Sequence, residues 1–284
     1  VVALCAVLLG ACGSQEPPGP AVPAASTPAP TAAPQQEANA VTPAPAGVAL
    51  LEQEVAYGEG QRNNLVGYLA MPGDAAEPLP GIIVIHEWSG LNDEIKALTR
   101  RLASERYVVL AVDLYGGALA DTPEKAQELL AGLLAEPEAV RKNLRQAYDY
   151  LEKYALAPRI GSIGWGLGGG WSLQTALLLP DTLDATVIYY GQVVTDRTQL
   201  ATLRMPLLGF FGAEDRSVPV REVQEFRATL IDLGKNAEVL IVSGANQAFA
   251  SANSPNYNEA AATDAWNQAV AFLSRHLQLA TATQ

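Results

Sequence analysis

The run from Arg159 to Pro180, RIGSIGWGLGGGWSLQTALLLP, constrains the fold more than any other stretch of the chain. Ile160 and Ile163 supply an apolar, β-branched approach, and Gly164-Trp165-Gly166-Leu167-Gly168 supplies a turn. Trp171 to Leu179 then supplies good helix formers up to Pro180. The pattern predicts a strand, a tight glycine turn and a helix. Gly164 to Gly169 also satisfies G-x-G-x-x-G, and Asp184 lies 20 residues beyond Gly164. A dinucleotide site, however, needs its acid at the carboxyl end of the next strand, beside the ribose. Asp184 comes just before that strand, at the opposite edge of the sheet, so the nucleotide reading is set aside.

The flanking segments alternate in the same sense. Val55 to Tyr57 and Leu65 to Met71 read as an initial strand pair joined through Gly58 and Gly60. Gly81 to His86 (GIIVIH) and Tyr107 to Val112 are continuous apolar runs, as expected of strands buried on both faces of a parallel sheet. Between them, Asn92 to Ser104 has helical spacing at Ile95, Leu98 and Leu102. Helical segments follow at Pro123 to Leu134 and Pro137 to Tyr154. Strands are predicted at Ala185 to Tyr190, Pro206 to Phe211 and Ala237 to Val242. Val220 to Leu233 reads as a helix closed by Gly234, and a long helix ends near His276. Alternation in this order implies an α/β fold with a mostly parallel, doubly wound sheet of about eight strands flanked by helices.

The two ends differ in kind from this domain. Val1 to Gly10 is an apolar run shorter than the roughly 20 residues needed to span a bilayer, and reads as the core of an export signal. Leu9-Gly10-Ala11-Cys12 resembles a bacterial lipobox, whose cysteine carries the lipid anchor. Residues 1–12 are therefore expected to be a lipoprotein-type signal peptide ending at Cys12, with the mature protein exported and facing the periplasm or cell exterior. Residues 13–47 are rich in Pro, Ala, Gln and Thr without periodicity, the composition of a disordered tether. The folded domain is expected over 48–277, with a short tail at 278–284. Cys5 and Cys12 are the only cysteines, so the domain has no thiol for a disulfide, a metal or covalent catalysis. A net charge of -12 and a pI near 4.6 exclude nucleic acid and anionic lipid surfaces as partners, leaving the anchor as the membrane contact. No cofactor or metal is expected.

Five stretches carry a resemblance to the dienelactone hydrolase family of α/β-hydrolases. They are Val84-Ile85-His86-Glu87-Trp88-Ser89-Gly90-Leu91-Asn92, Val112-Asp113-Leu114-Tyr115, Gly164 to Gly169, Phe211 to Pro219 (FGAEDRSVP), and Gly244 to Ala250 leading into Pro255 to Ala262. The resemblance implies an α/β-hydrolase fold in which a nucleophile stands on the strand-turn-helix elbow, a histidine serves as base and an aspartate orients the histidine. Placed by motif, the aspartate is Asp215, the nucleophile position is Gly166 and the histidine position is Gln247. The prototype's two carboxylate-binding arginines fall at Gly116-Gly117 and Ala250-Ser251. Glu87 matches the glutamate that contacts the nucleophile before substrate binds. The backbone NH groups of Trp88 and Leu167 stand where an oxyanion hole would be built.

A neutral amide at Gln247 has no basic nitrogen, so it cannot replace a histidine, but its NH2 can donate to Asp215. Glycine at 166 adopts positive φ without the strain that a nucleophile bears. His86 and His276 are the only histidines; His86, beside Glu87, is a candidate base, and His276 reads as a solvated helix-end residue. Ser162 and Ser172 lie inside a strand and a helix, out of reach as nucleophiles. The sequence therefore leads to a pseudoenzyme whose cleft, near Glu87, Trp88, Trp165, Gly166, Asp215 and Gln247, holds a small molecule or a protein partner. The alternative is a weak ester or lactone hydrolase in which Glu87 or Asp215 activates water.

Overall fold

The computed structural model describes residues 48–60 and 64–278. The signal peptide, Cys12 and the tether expected over 13–47 lie outside the described residues, as does the tail beyond Gln278. The chain runs β1 (Leu50–Glu59), β2 (Asn64–Pro72), β3 (Gly81–Ile85), α1 (Asp93–Ser104), β4 (Val108–Val112), α2 (Pro123–Ala135), α3 (Pro137–Lys153), β5 (Ile160–Trp165), α4 (Leu167–Leu178), β6 (Ala185–Tyr189), α5 (Arg197–Ala201), β7 (Leu207–Gly212), α6 (Val220–Asp232), β8 (Ala237–Val242) and α7 (Glu259–Leu277). One eight-stranded sheet has the order β1-β2-β4-β3-β5-β6-β7-β8. β1 and β2 pair antiparallel, β2 joins β4 antiparallel, and every pairing from β4 through β3 to β8 is parallel.

The apolar runs of the central strands are buried on both faces because each face has its own helical cover. Ile83, Ile85, Leu110 and Val112 share one cluster with Leu144, Ala147 and Leu151 of α3 and Val223 and Phe226 of α6. Ile82, Val84, Val109 and Ala111, the intervening residues, share the other with Ile95 and Leu102 of α1 and Trp266, Phe272 and Leu273 of α7. The period-2 alternation of the strands thus sorts their side chains between two layers of helices.

Two expectations need correction. α4 starts at Leu167 rather than at Trp171, because the glycines that read as a long turn serve mainly to bring backbones together. A Cβ on Gly168 would stand 2.1 Å from the Ile85 carbonyl oxygen, and one on Gly169 would stand 2.5 Å from that of Tyr189. The turn proper is a single residue, Gly166, at φ 52° and ψ −113°. α5 was not expected at all: it is a polar five-residue turn with only Leu200 buried, started by Asp196 accepting from Gln199 N at 2.8 Å.

Candidate functional site

The elbow places residue 166 at the carboxyl edge of the parallel sheet, where α/β folds build their sites. Gly166 N donates to Tyr189 O at 2.9 Å, tying the turn to the neighbouring strand. A Cβ on Gly166 would meet nothing nearer than the Gln247 amide at 3.7 Å and the Tyr190 ring at 3.9 Å. A small side chain at 166 would therefore make ordinary contacts with Gln247 and Tyr190 and collide with neither.

Gln247 and Asp215 are brought together as the sequence predicts. The amide orientation that satisfies both groups has the Gln247 NH2 donating to Asp215 Oδ2, with Oδ1 at 3.3 Å. The other end of the amide, its oxygen, then faces the space above Gly166. Asp215 is buried, and its Oδ1 also accepts from Ser217 N at 2.7 Å and Val218 N at 3.0 Å. The carboxylate closes the turn between β7 and α6 at the same time as it holds the Gln247 side chain.

Glu87 approaches from the end of β3. Its side chain is buried, and Oε1 accepts from the Tyr190 hydroxyl at 2.9 Å. Burial pushes the Glu87 carboxyl up to about 7; the Tyr190 hydrogen bond pulls it down and the Glu94 charge pushes it up. Tyr190 was not singled out in the sequence. It follows β6 with φ 39°, a left-handed conformation rare outside glycine, and is wholly buried. Its only sequence signal is its place at the carboxyl end of a predicted central strand.

Trp88 and Leu167, whose NH groups the resemblance assigns to an oxyanion hole, follow β3 and open α4 respectively. Trp88 lies in the loop after β3 with its side chain 45% exposed. Leu167 opens α4, so its NH has no acceptor within the helix. The Trp88 loop is held from both sides: Asn92 Nδ2 donates to Ser89 Oγ at 3.0 Å, and Ala120 N donates to Ser89 O at 3.0 Å. Glu94, in the first turn of α1, accepts from Ser251 Oγ at 3.0 Å, Ala252 N at 2.9 Å and Asn253 Nδ2 at 2.8 Å. This pins the segment that follows Gln247.

Two candidates, His86 and Trp165, leave the site. Leu114 N donates to His86 Nε2 at 3.0 Å, which leaves Nδ1 as the protonated nitrogen, donating to Glu87 O at 2.7 Å. With both nitrogens engaged and no exposure, His86 is a strut between the ends of β3 and β4 and has no lone pair for a substrate. Burial lowers its pKa, so it stays neutral. Trp165 also turns away from Gly166: it stacks on Tyr189 with ring centres 5.3 Å apart, in the layer covered by α1 and α7. Ser162, Ser172 and Thr186 form a buried ring of hydroxyls with sides of 2.8, 3.0 and 2.9 Å. Asp184 accepts from Ile160 N at 2.8 Å at the amino ends of β5 and β6, the far edge from Gly166, as the dismissal of a nucleotide site requires.

A cavity of about 970 Å³ lies beside this constellation, lined by Leu65 and Tyr68 of β2, Leu91, Tyr115 and Leu119, and Leu129 of α2. It does not include Gly166, Gln247, Asp215 or Glu87 among its walls.

The profile of the dienelactone hydrolase family matches residues 65–277, three quarters of the chain and nearly the whole described domain. The chain belongs to the dienelactone hydrolase family. Protein usf of Aquifex pyrophilus is 31% identical over 218 residues, covering 74% of this chain and 93% of that protein. A Saccharolobus solfataricus protein named "Putative carboxymethylenebutenolidase" is 29% identical over 262 residues, covering 79% of this chain and 99% of that one. Among solved structures, a dienelactone-hydrolase-like promiscuous phosphotriesterase from metagenomic libraries superposes with a TM-score of 0.73 at 22% identity. It covers 82% of this chain and 100% of that chain, a likeness of fold. Gly166 and Gln247, the positions to which the resemblance assigns the nucleophile and the histidine, face each other, with 3.7 Å between a Cβ on Gly166 and the Gln247 amide.

Proposed function

We propose that this chain is an exported, lipid-anchored member of the dienelactone hydrolase family that has given up covalent catalysis and uses the ancestral cleft to hold a small molecule or a protein partner. One observation carries the reading: the elbow presents no nucleophile, and the group facing it is an amide bound to Asp215. Neither residue can form an acyl intermediate or take up a proton at neutral pH. The anchor rests on the Leu9-Gly10-Ala11-Cys12 motif and the tether on residues 13–47.

Glu87 supports a second reading, weak hydrolysis of esters or lactones by activated water. A carboxyl pushed up to about 7 titrates near working pH, as a general base should. The Trp88 and Leu167 NH groups would hold the oxyanion. The two readings separate on turnover of activated esters and lactones by the purified protein, by Glu87→Gln, and by Gly166→Cys combined with Gln247→His. The pseudoenzyme reading expects turnover in the double variant alone. Native turnover abolished by Glu87→Gln would sink it in favour of the water mechanism.

A further inference from the structure

The cavity of about 970 Å³ takes no part in the chemistry above, yet its volume lies at the upper end of the roughly 300 to 1,000 Å³ typical of small-molecule sites. It sits at the carboxyl edge of the sheet, over the start of β2 and the segment that follows β4. Tyr68 belongs to the cluster beneath α1, whereas Leu133 and Val140 belong to the cluster beneath α3. The cavity therefore crosses the sheet edge from one helical layer to the other, and is extended rather than round. Its walls are mainly aliphatic and aromatic. Leu65, Leu91, Tyr115 and Leu129 are half-buried there, and Val66 and Leu119 are 44% and 53% exposed. Apolar side chains thus converge on one space that they do not close, in contrast to the tight packing of ordinary interiors.

α2 forms the outer wall and is lightly held. Two of its 13 residues, Ala126 and Leu133, are buried, against six of 17 in α3. Among the described residues, no side chain of Pro123–Ala135 makes a hydrogen bond outside the helix; Lys125 pairs with Glu128 within it. Gly132 borders the cavity from the middle of this helix, where glycine is less favourable than alanine. No close approach requires it, since a Cβ there would meet nothing within 4 Å. The charged groups decide against an anionic occupant. Five of those at the walls are carboxylates and two are lysines, and Lys96 stands over the Tyr68 ring, 5.5 Å from its centre. Glu54 and Glu59 of β1 have no cation within ion-pairing distance among the described residues, so an anion would meet their unbalanced charge.

We propose that this cavity is a ligand site for an uncharged, predominantly apolar and extended molecule, held between β2 and α2. It stands apart from the elbow, whose residues line none of it.

The test uses the full chain and the uncharged probe N-phenyl-1-naphthylamine, whose fluorescence rises in apolar surroundings. Saturable binding of one probe per chain, reversed by 1-decanol, is the expected result. Decanoate, ionised at about pH 8, should need at least about tenfold more than decanol to displace the probe. Gly132→Trp sets an indole at the cavity mouth without a collision, and Leu129→Trp enlarges a side chain of the wall. Each should weaken probe binding about tenfold or more, with far-ultraviolet circular dichroism and the thermal midpoint showing a folded protein. Leu134→Ser changes an α2 side chain that is 59% exposed and lines none of the cavity, so binding should stay as in the native protein. Amide hydrogen exchange within α2 should slow when decanol is bound. Absence of saturable binding, binding undiminished in both tryptophan variants, or displacement by decanoate as readily as by decanol would each overturn the proposal. So would a loss in Leu134→Ser as large as in Gly132→Trp, or exchange that slows elsewhere and not in α2.

Discussion

Replacing Gly166 by alanine isolates the backbone cost of the elbow from any steric cost. The residue sits at φ 52° and ψ −113°, a region that L side chains rarely adopt. Holding an L residue there costs about 1 to 3 kcal/mol. Alanine also restricts the unfolded chain, which returns about 0.4 to 1 kcal/mol. No collision adds to this, because the new Cβ would meet its nearest neighbour, the Gln247 amide, at 3.7 Å, an ordinary contact. The expected net loss is therefore about 1.3 kcal/mol, the middle of a range of roughly 0 to 2.6, or a fall of about 3 to 5 °C in Tm for a domain of this size. Gly168→Ala is the contrast: its Cβ would stand 2.1 Å from the Ile85 carbonyl oxygen and 2.6 Å from that of His86, both backbone atoms. That variant should lose the folded state. Equilibrium denaturation in urea, read by far-ultraviolet circular dichroism and tryptophan fluorescence, measures both. A Gly166→Ala variant as stable as the native protein would refute the claim that the elbow is conformationally strained for other residues. One as damaged as Gly168→Ala would refute the claim that a Cβ at 166 meets no collision.

The remaining predictions concern the carboxylates. Glu87 has a folded-state pKa near 7, above its ordinary value of 4.5, so the folded protein binds its proton more tightly than the unfolded chain. Its contribution is fully present below about pH 4.5 and is lost as pH rises towards 7. Glu87→Gln should accordingly gain stability relative to the native protein across that window. A urea midpoint difference that stays constant from pH 4 to 8 would contradict the buried, raised carboxyl. Gln247→Ala removes the side-chain donor to Asp215 Oδ2 and should cost about 1 to 3 kcal/mol. A double-mutant cycle with Asp215→Asn should show coupling of at least about 0.5 kcal/mol, and a coupling of zero would mean that the amide is turned the other way.

The fold was legible because its strongest signals are physical requirements of burial. Gly81 to Ile85 and Val108 to Val112 are apolar at every position except one glycine, and both strands are covered on both faces by helices. The helices with a clear apolar stripe, α1 and α3, also lie where their spacing puts them. α5 had no such stripe, and five polar-rich residues give too few turns for periodicity to register. In the site, the pairing of Asp215 with Gln247 followed from motif order, since both stand in loops at the carboxyl edge of the sheet. Tyr190 was missed because a tyrosine ending an apolar strand looks like any other core aromatic; only its positive φ and its hydrogen bond to Glu87 set it apart. His86 misled for the complementary reason. A histidine beside a glutamate suggests proton transfer, while the three-dimensional fact is that two backbone groups, Glu87 O just after β3 and Leu114 N just after β4, occupy both its nitrogens.

The close contacts of α4 with the sheet bear on how such a protein can change over generations. Cβ atoms on Gly164, Gly169 or Gly191 would stand 2.1 to 2.5 Å from backbone atoms, whereas one on Gly166 would fit. Side chains at the first three positions would collide with backbone, whereas one at 166 would bear only the conformational cost of its positive φ. Retention of the elbow's shape and the identity of residue 166 are thus constrained separately, the first by backbone collisions and the second by the conformational cost of an L side chain.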